Sequence, residues 1–317
     1  MQNTCYYNDG FVKDRINTGD SMKRDLIGYG DHLPKLILPQ NAQIAVNFVL
    51  NYEEGSEQNV LDGDNESESY LTDLPGVIAL KDERHLSAES MFEYGSRAGV
   101  WRLLHLFEEY DIPITVFATG MALERNPELT EKLKKSRHEI AGHGYRWINY
   151  RTVDIEIERE HIQKTIQIIT NLTQKKVTGW YTGRRSENTL PLIVASGLRY
   201  DSDSYADDLP YWVQISDRPL LIIPYSLDTN DLRYAMSPGW NTGEDFFQYL
   251  KAAFDCLYHE GAKTPKMMTV GIHPRLSGRP GRSEALRSFI EYIKKFDKVW
   301  ICRRDEIADH WYLNHPS

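Results

Sequence analysis

The sequence predicts an α/β fold in which parallel strands close into a barrel. Strand-like apolar runs alternate with amphipathic helical stretches from residue 44 onward, which calls for a parallel sheet with helical crossovers. About seven such strands can be counted. None is followed by a Gly-rich phosphate-binding turn, which favours a barrel over an open nucleotide-binding sheet.

The elements follow in order. Residues 1–40 are polar and turn-rich, with Pro34 and Pro39 near their end, and read as an N-terminal arm on a single domain spanning 41–317. Residues 44–50 (Ile44-Ala-Val-Asn-Phe-Val-Leu50) form a buried strand. Residues 56–88 are acidic and too long for a plain connection, so they are expected to form a functional loop. Residues 96–110 make a helix, with Val100, Leu103, Leu104 and Phe107 on one face. A strand at 113–118, a helix at 121–136 and a short strand at 138–141 follow. Asp154 is a plausible N-cap for a helix over 154–170, whose stripe is Ile155, Ile162, Ile166 and Ile169. Strands are expected at 177–181, 220–224, 267–272 and 299–302. Helices are expected at 190–196, stopped by Gly197, and at 244–258, 283–295 and 305–311. No internal repeat interrupts this order.

Composition narrows the function. Against 37 Lys+Arg stand 46 Asp+Glu, a net charge of -9. Such a surface repels phosphate backbones and anionic membranes, so neither nucleic acid nor membrane is an expected partner. No apolar run approaches the ~18 residues of a membrane span. Cys5, Cys256 and Cys302 are sparse and far apart, which argues against a disulfide framework or a zinc finger and suits a reducing compartment. The first ten residues lack the apolar stretch of a signal peptide, and a cytoplasmic location is expected.

In a parallel barrel the active site lies at the C-terminal ends of the strands. The candidates are therefore Asn51-Tyr-Glu-Glu-Gly55, His143-Gly-Tyr-Arg-Trp147, Trp180-Tyr-Thr-Gly-Arg184, Asp201-Ser-Asp203 and His273-Pro-Arg275. Carboxylates, two histidines and aromatics reaching one rim from separate strands point to a catalytic pocket. Adjacent residues of an extended segment point to opposite sides, so at most one of Glu53 and Glu54 faces a pocket easily. Either is a candidate base for water, with Glu53 the first choice; a solvated pair is the plain alternative. His143 fits a ligand, acid or base, and His273 a proton donor to a leaving group. Each is as readily a core histidine when taken alone. Trp147, Trp180 and Tyr181 could line a flat apolar pocket or simply pack the core. Arg275, in Arg275-Leu-Ser-Gly-Arg-Pro-Gly-Arg282, could grip a carboxylate or amide.

These strings, in this order, resemble the polysaccharide deacetylase superfamily and its NodB-type catalytic domain. That family carries an acid pair after the first strand, paired histidines after the third, an Arg-Pro motif, and a final Leu-His motif. The resemblance places Glu53 as the base, Glu54 as a metal-binding acid, His143 as the first histidine of the pair and Ile272-His273 as the last motif. The second histidine is replaced by Trp147, and Gly179-Trp-Tyr-Thr-Gly-Arg184 replaces Arg-Pro. The family's metal is held by one carboxylate and two histidines, and tryptophan offers no lone pair. Glu54 and His143 are left as weak ligands at most, and no metal or cofactor is expected. One branch shows the same departure: metal-independent allantoinases, grouped with a fungal chitin deacetylase-like member. Tyr94-Gly-Ser-Arg-Ala-Gly-Val-Trp101 and Asp207-Asp-Leu-Pro210 also look like that branch. The resemblance covers roughly residues 20 to 312. It implies a deformed (β/α)7 barrel, a homotetramer and an amide hydrolase, acting on the small ureide allantoin or alternatively on chitin oligomers. On that reading Glu53 activates water and His273 protonates the leaving nitrogen. Backbone N–H groups near 180–184, Arg184 or His143 hold the oxyanion, and Trp147 packs on a planar ring. Trp180, Tyr181, Asp203 and Arg275 complete the substrate pocket. A barrel that has lost its chemistry is a third reading; the set Glu53, Glu54, His143 and His273 argues against it.

Overall fold

Strand β1 (Ile44–Tyr52) is buried along its whole length, and its two faces set the plan of the molecule. Ile44, Val46, Phe48, Leu50 and Tyr52 enter the main core beneath the helices. By strand alternation Ala45, Asn47, Val49 and Asn51 face the other way, into the interior of the curl. The computed structural model describes residues 24–317; residues 1–23 of the expected arm, with Cys5, lie outside the described residues.

After β1, residues 56–85 carry one short turn of 3-10 helix, Val60–Asp62. α1 (Leu86–Tyr94) then passes through a single π turn, Gly95–Gly99, into α2 (Val100–Glu109). The expected helix at 96–110 therefore begins ten residues earlier. β2 (Thr115–Ala118) follows. The helix expected at 121–136 is two, α3 (Gly120–Arg125) and α4 (Pro127–Lys135). Asn126 precedes a proline and is forced out of the helical region, at φ -128 and ψ 76, and its side chain caps α4 instead. β3 (Glu139–Gly142) leads to α5 (Ile155–Thr173), capped by Asp154 as expected. Next come β4 (Gly179–Trp180), α6 (Thr189–Ala195), β5 (Tyr200–Asp201), β6 (Tyr211–Ile215) and β7 (Arg218–Ile222). The chain continues through α7 (Gly243–Glu260), β8 (Lys266–Ile272), α8 (Pro280–Ile293), β9 (Val299–Ile301) and α9 (Arg304–Asn314).

The sheet runs β6-β7-β5-β4-β3-β2-β1-β8, with β9 also paired to β1. It curls into a half-barrel, the deformed barrel that the sequence resembles. Among the described residues the sheet has nine strands, where about seven were expected. β5 is too short to show alternation. β6 folds back antiparallel on β7 through Ser216 at φ 53, without the Asn-Gly signal of a tight hairpin.

The loop at 56–88 is tied down by arginines. Arg146 pairs with Asp64 at 2.9 Å, Arg125 with Asp62 at 3.0 Å and Arg282 with Asp73 at 2.8 Å. These ties carry Tyr70 and Leu71 over the C-terminal ends of the strands. Among the described residues no helix is long and apolar enough to cross a membrane.

Candidate active site

The inward parity of β1 continues past its end. Asn51 and Glu53 face the interior, whereas Glu54 shares the outer face with Tyr52 and lies against the π turn at Gly95. A side chain at Gly95 would overlap Glu54, and one at Gly99 would overlap the carbonyl of Pro274. The π turn, with its two glycines, lets the helix approach both.

Three side chains from two other strand ends meet at Glu53. His143, beyond β3, places Nε2 2.9 Å from Glu53 Oε1. His273, directly after β8, places Nε2 3.7 Å from the same oxygen. Arg275 donates from Nη2 to Glu53 Oε2 at 2.7 Å and from Nη1 to Glu54 Oε1 at 3.4 Å. All five residues are at most 4% exposed. Burial alone would raise the proton affinity of Glu53, but the Arg275 guanidinium, helped by His273 and His143, outweighs it and holds this carboxyl well below the usual range. Glu54 goes the other way. Burial raises it, the neighbouring Glu53 charge adds to that, and Arg275 only partly offsets both.

The histidines are oriented by their far nitrogens. Nδ1–H of His143 donates to the Tyr181 carbonyl at 2.7 Å, and the Tyr181 ring stacks on the imidazole at 5.3 Å and 13°. A proton therefore lies between His143 Nε2 and Glu53, on one partner or the other. Nδ1–H of His273 donates to Asp231 Oδ1 at 2.6 Å. Asp231 is itself fixed by the backbone N–H groups of His273 and Ser277, at 2.8 and 3.0 Å. This leaves His273 Nε2 facing the cavity.

A cavity of about 450 Å³ opens over this cluster, lined among others by Asn51, Glu53, His143, Trp147, Tyr181 and His273. Tyr70 and Leu71 of the 56–88 loop, Arg184 and Tyr205 also line it. Arg184 lies 4.3 Å over the Trp147 ring, which also faces Tyr70 at 6.1 Å. A second cavity of similar volume lies on the outer surface between α5 and α6, away from every residue of this cluster.

Several expectations need correction. Trp180 does not reach the cavity: it is 1% exposed and packs in the helix-side core against Gly142. It has the opposite parity to Tyr181, which does line the cavity. Asp203 does not line the cavity either. Its carboxylate accepts from Thr182 N and Oγ1 and from Gly183 N, at 2.8, 3.0 and 2.6 Å, and so braces the turn before Arg184. Those bonds remove the backbone donors expected at 180–184. Tyr181 N is also taken, by Gly142 O, and Arg184 N by Thr182 Oγ1. Arg275 and Glu54 stand behind Glu53 rather than in the cavity wall. Asp231, Tyr70, Tyr205, Tyr225 and Asn230 are the residues that sequence reasoning missed. Asn230 and Asp231 open a short 3-10 turn, Asp231–Ala235, and an Asn-Asp pair signals a cap without saying what the acid faces.

The donors do not fit the metal of the resembling family. Trp147 provides no lone pair at the second histidine position, and the Arg275 cation already holds both glutamates. Among the described residues no three His, Cys, Asp or Glu side chains are grouped to hold a metal ion.

The sequence profile of the polysaccharide deacetylase family matches residues 82–201. A Schizosaccharomyces pombe protein named "Putative polysaccharide deacetylase" is 43% identical over 298 residues, covering 88% of this chain and 93% of the relative. The crystal structure of a "probable Polysaccharide deacetylase" from Pseudomonas aeruginosa PAO1 is 54% identical with a TM-score of 0.91, covering 93% of this chain and 99% of that one. That of "Puue Allantoinase" is 51% identical, also with a TM-score of 0.91, covering 94% of this chain and 100% of that one.

Proposed function

The chain belongs to the polysaccharide deacetylase family, hydrolases of carbon–nitrogen bonds, and we propose that it opens the hydantoin ring of allantoin to allantoate, without a metal, as a cytoplasmic homotetramer. The observation that carries this reading is the size of the cavity. Tyr70, Leu71 and Arg184 join Glu53, His143 and His273 in lining about 450 Å³, a volume suited to a small ring. The likeness to Puue Allantoinase supports it.

In this mechanism Glu53 takes a proton from water as the oxygen attacks the amide carbon. His273, its Nδ1–H held by Asp231, gives its Nε2 proton to the departing ring nitrogen. Glu53 then returns its proton to His273 across the 3.7 Å between them. The product acid leaves as its anion, and its proton goes to solvent. Positive charge for the oxyanion comes from Arg184, because the nearby backbone donors and both His143 nitrogens are already bonded. The low proton affinity of Glu53 makes it a weak base, so positioning in the cavity must supply much of the acceleration.

The second reading is removal of acetyl groups from chitin oligomers, favoured by relatives named as deacetylases at equal likeness. Purified protein assayed on allantoin before and after exhaustive chelation, with an acetylated chitin oligomer in parallel, separates the two. The expected outcome is allantoin turnover unchanged by chelation. Acetate release from the oligomer with allantoin untouched would move the protein to the second reading.

A further inference from the structure

One donor stands free at the floor of the same cavity. The Tyr225 ring is wedged between Tyr181, at 4.7 Å, and Phe117, at 5.8 Å, and is 3% exposed. Its hydroxyl accepts from Asn51 Nδ2 at 2.9 Å and from Asn230 Nδ2 at 3.1 Å. Both amide orientations are fixed by other partners. Asn51 Nδ2 also donates to the Ile272 carbonyl at 3.2 Å, and Asn230 Oδ1 accepts from Leu232 N at 2.9 Å. Flipping either would set oxygen against oxygen or N–H against N–H.

Two accepted bonds fill the acceptor capacity of the Tyr225 hydroxyl. Its own hydrogen then has no acceptor among the described residues, and Asn51 Oδ1 has no donor. Burial raises the proton affinity of the phenol, which keeps it a donor. Tyr225 and Asn51 both line the cavity, and Asn51 shares the inward face of its strand with Glu53. Both atoms are therefore open to a ligand in the cavity, a donor and an acceptor that no protein group occupies.

We propose that the Tyr225 hydroxyl and Asn51 Oδ1 together read one edge of a cis amide, the hydroxyl donating to its carbonyl oxygen and Asn51 accepting its N–H. The two groups flank the same Asn51 amide, so they address atoms that lie side by side. A ring amide or ureide presents C=O and N–H on one edge. An acetamido group is trans and points them in opposite directions. The inference deepens the reading of the cavity as the binding site of a cyclic ureide and names what recognises it.

The test uses hydantoin, 1,3-dimethylhydantoin and N-methylacetamide as ligands, measured by calorimetry on the wild type and on Tyr225→Phe. The wild type should bind hydantoin about tenfold or more tightly than either other probe. Y225F should lose that preference to within about twofold, keep its thermal midpoint within a few degrees, and raise KM on allantoin more than it lowers kcat. Equal wild-type binding of the three probes, no binding of any, or unchanged hydantoin affinity in Y225F would each overturn the proposal. The wild-type comparison stands even if Y225F does not fold. Hydantoin selectivity without allantoin turnover would sink the proposed reaction and leave this recognition standing. Allantoin turnover with an unchanged KM in Y225F would do the reverse.

Discussion

Arg275 and Arg304 are both 0% exposed, and they answer burial in opposite ways. Arg275, at the rim, is surrounded by carboxylates. Burial disfavours its charge, but Glu53 and Glu54 outweigh that and raise its proton affinity. Arg304, in the middle of the curl, has only neutral acceptors. It donates to Asn47 Oδ1, Thr269 Oγ1, Ser202 Oγ and the carbonyls of Ile223 and Pro224, and burial lowers its proton affinity. One cation is neutralised by charge; the other is solvated by dipoles. A buried charge that tunes a reacting group needs a titratable partner. One that joins strands needs only enough oxygens, and Arg304 gathers β1, β8 and the segments after β5 and β7.

Three experiments press on this contrast. Glu53→Gln removes the group on which the rim converges, and should cut turnover by at least the 10²–10⁴-fold typical of acid–base groups while the protein stays folded. A near-normal rate would dissolve the idea that the rim charges serve chemistry. Arg275→Met removes the cation that faces both buried glutamates and should cost about 3–5 kcal/mol at neutral pH. The penalty should shrink on acidification, since protonating Glu53 removes the orphaned charge. Arg304→Met should destabilise with a weaker pH dependence between pH 5 and 8, one that appears only near pH 7, because its hydrogen-bond partners do not titrate and the one nearby acid that does, Glu139, is pushed up to about 7. Denaturant midpoints of both variants across that range decide it; parallel profiles would erase the distinction.

The smallest effect is expected at Glu57, a buried acid at the start of the 56–88 loop. Burial pushes it up to about 7. The folded state then holds this proton more tightly than the unfolded chain, so the contribution to stability is full below the unfolded value near 4.5 and is lost as pH rises through about 7. Glu57→Gln should match the wild type at pH 4 and gain roughly 2–3 kcal/mol at pH 8. A gain that is the same at both pH values would contradict the assignment.

What could be read from the sequence follows from length and period. β1, β8 and α5 are legible because a continuous apolar run or a helical stripe extends over seven or more residues. β4 and β5, two residues each, carry no period at all. The cluster at Glu53 was legible because its members stand at strand ends, where a parallel barrel assembles its chemistry. The same parity that sends Glu53 inward and Glu54 outward separates Tyr181 from Trp180. In β4 there is no flanking alternation to say which is which. Asp231 and Tyr225 come from a stretch without regular pattern, and only the folded chain shows what they face.

The π turn at Gly95–Gly99 holds one residue more than α-helical spacing would, and so sets the phase between α1 and α2. α2 keeps Leu103, Leu104 and Phe107 on the main core, while α1 turns Phe92 under Trp147 and Arg275. Removing one residue there would leave both helices intact and rotate α1 by about 100° relative to α2. Phe92 would swing away from the wall of the cavity. The support beneath Trp147 thus hangs on a single-codon difference in a segment outside the cavity lining.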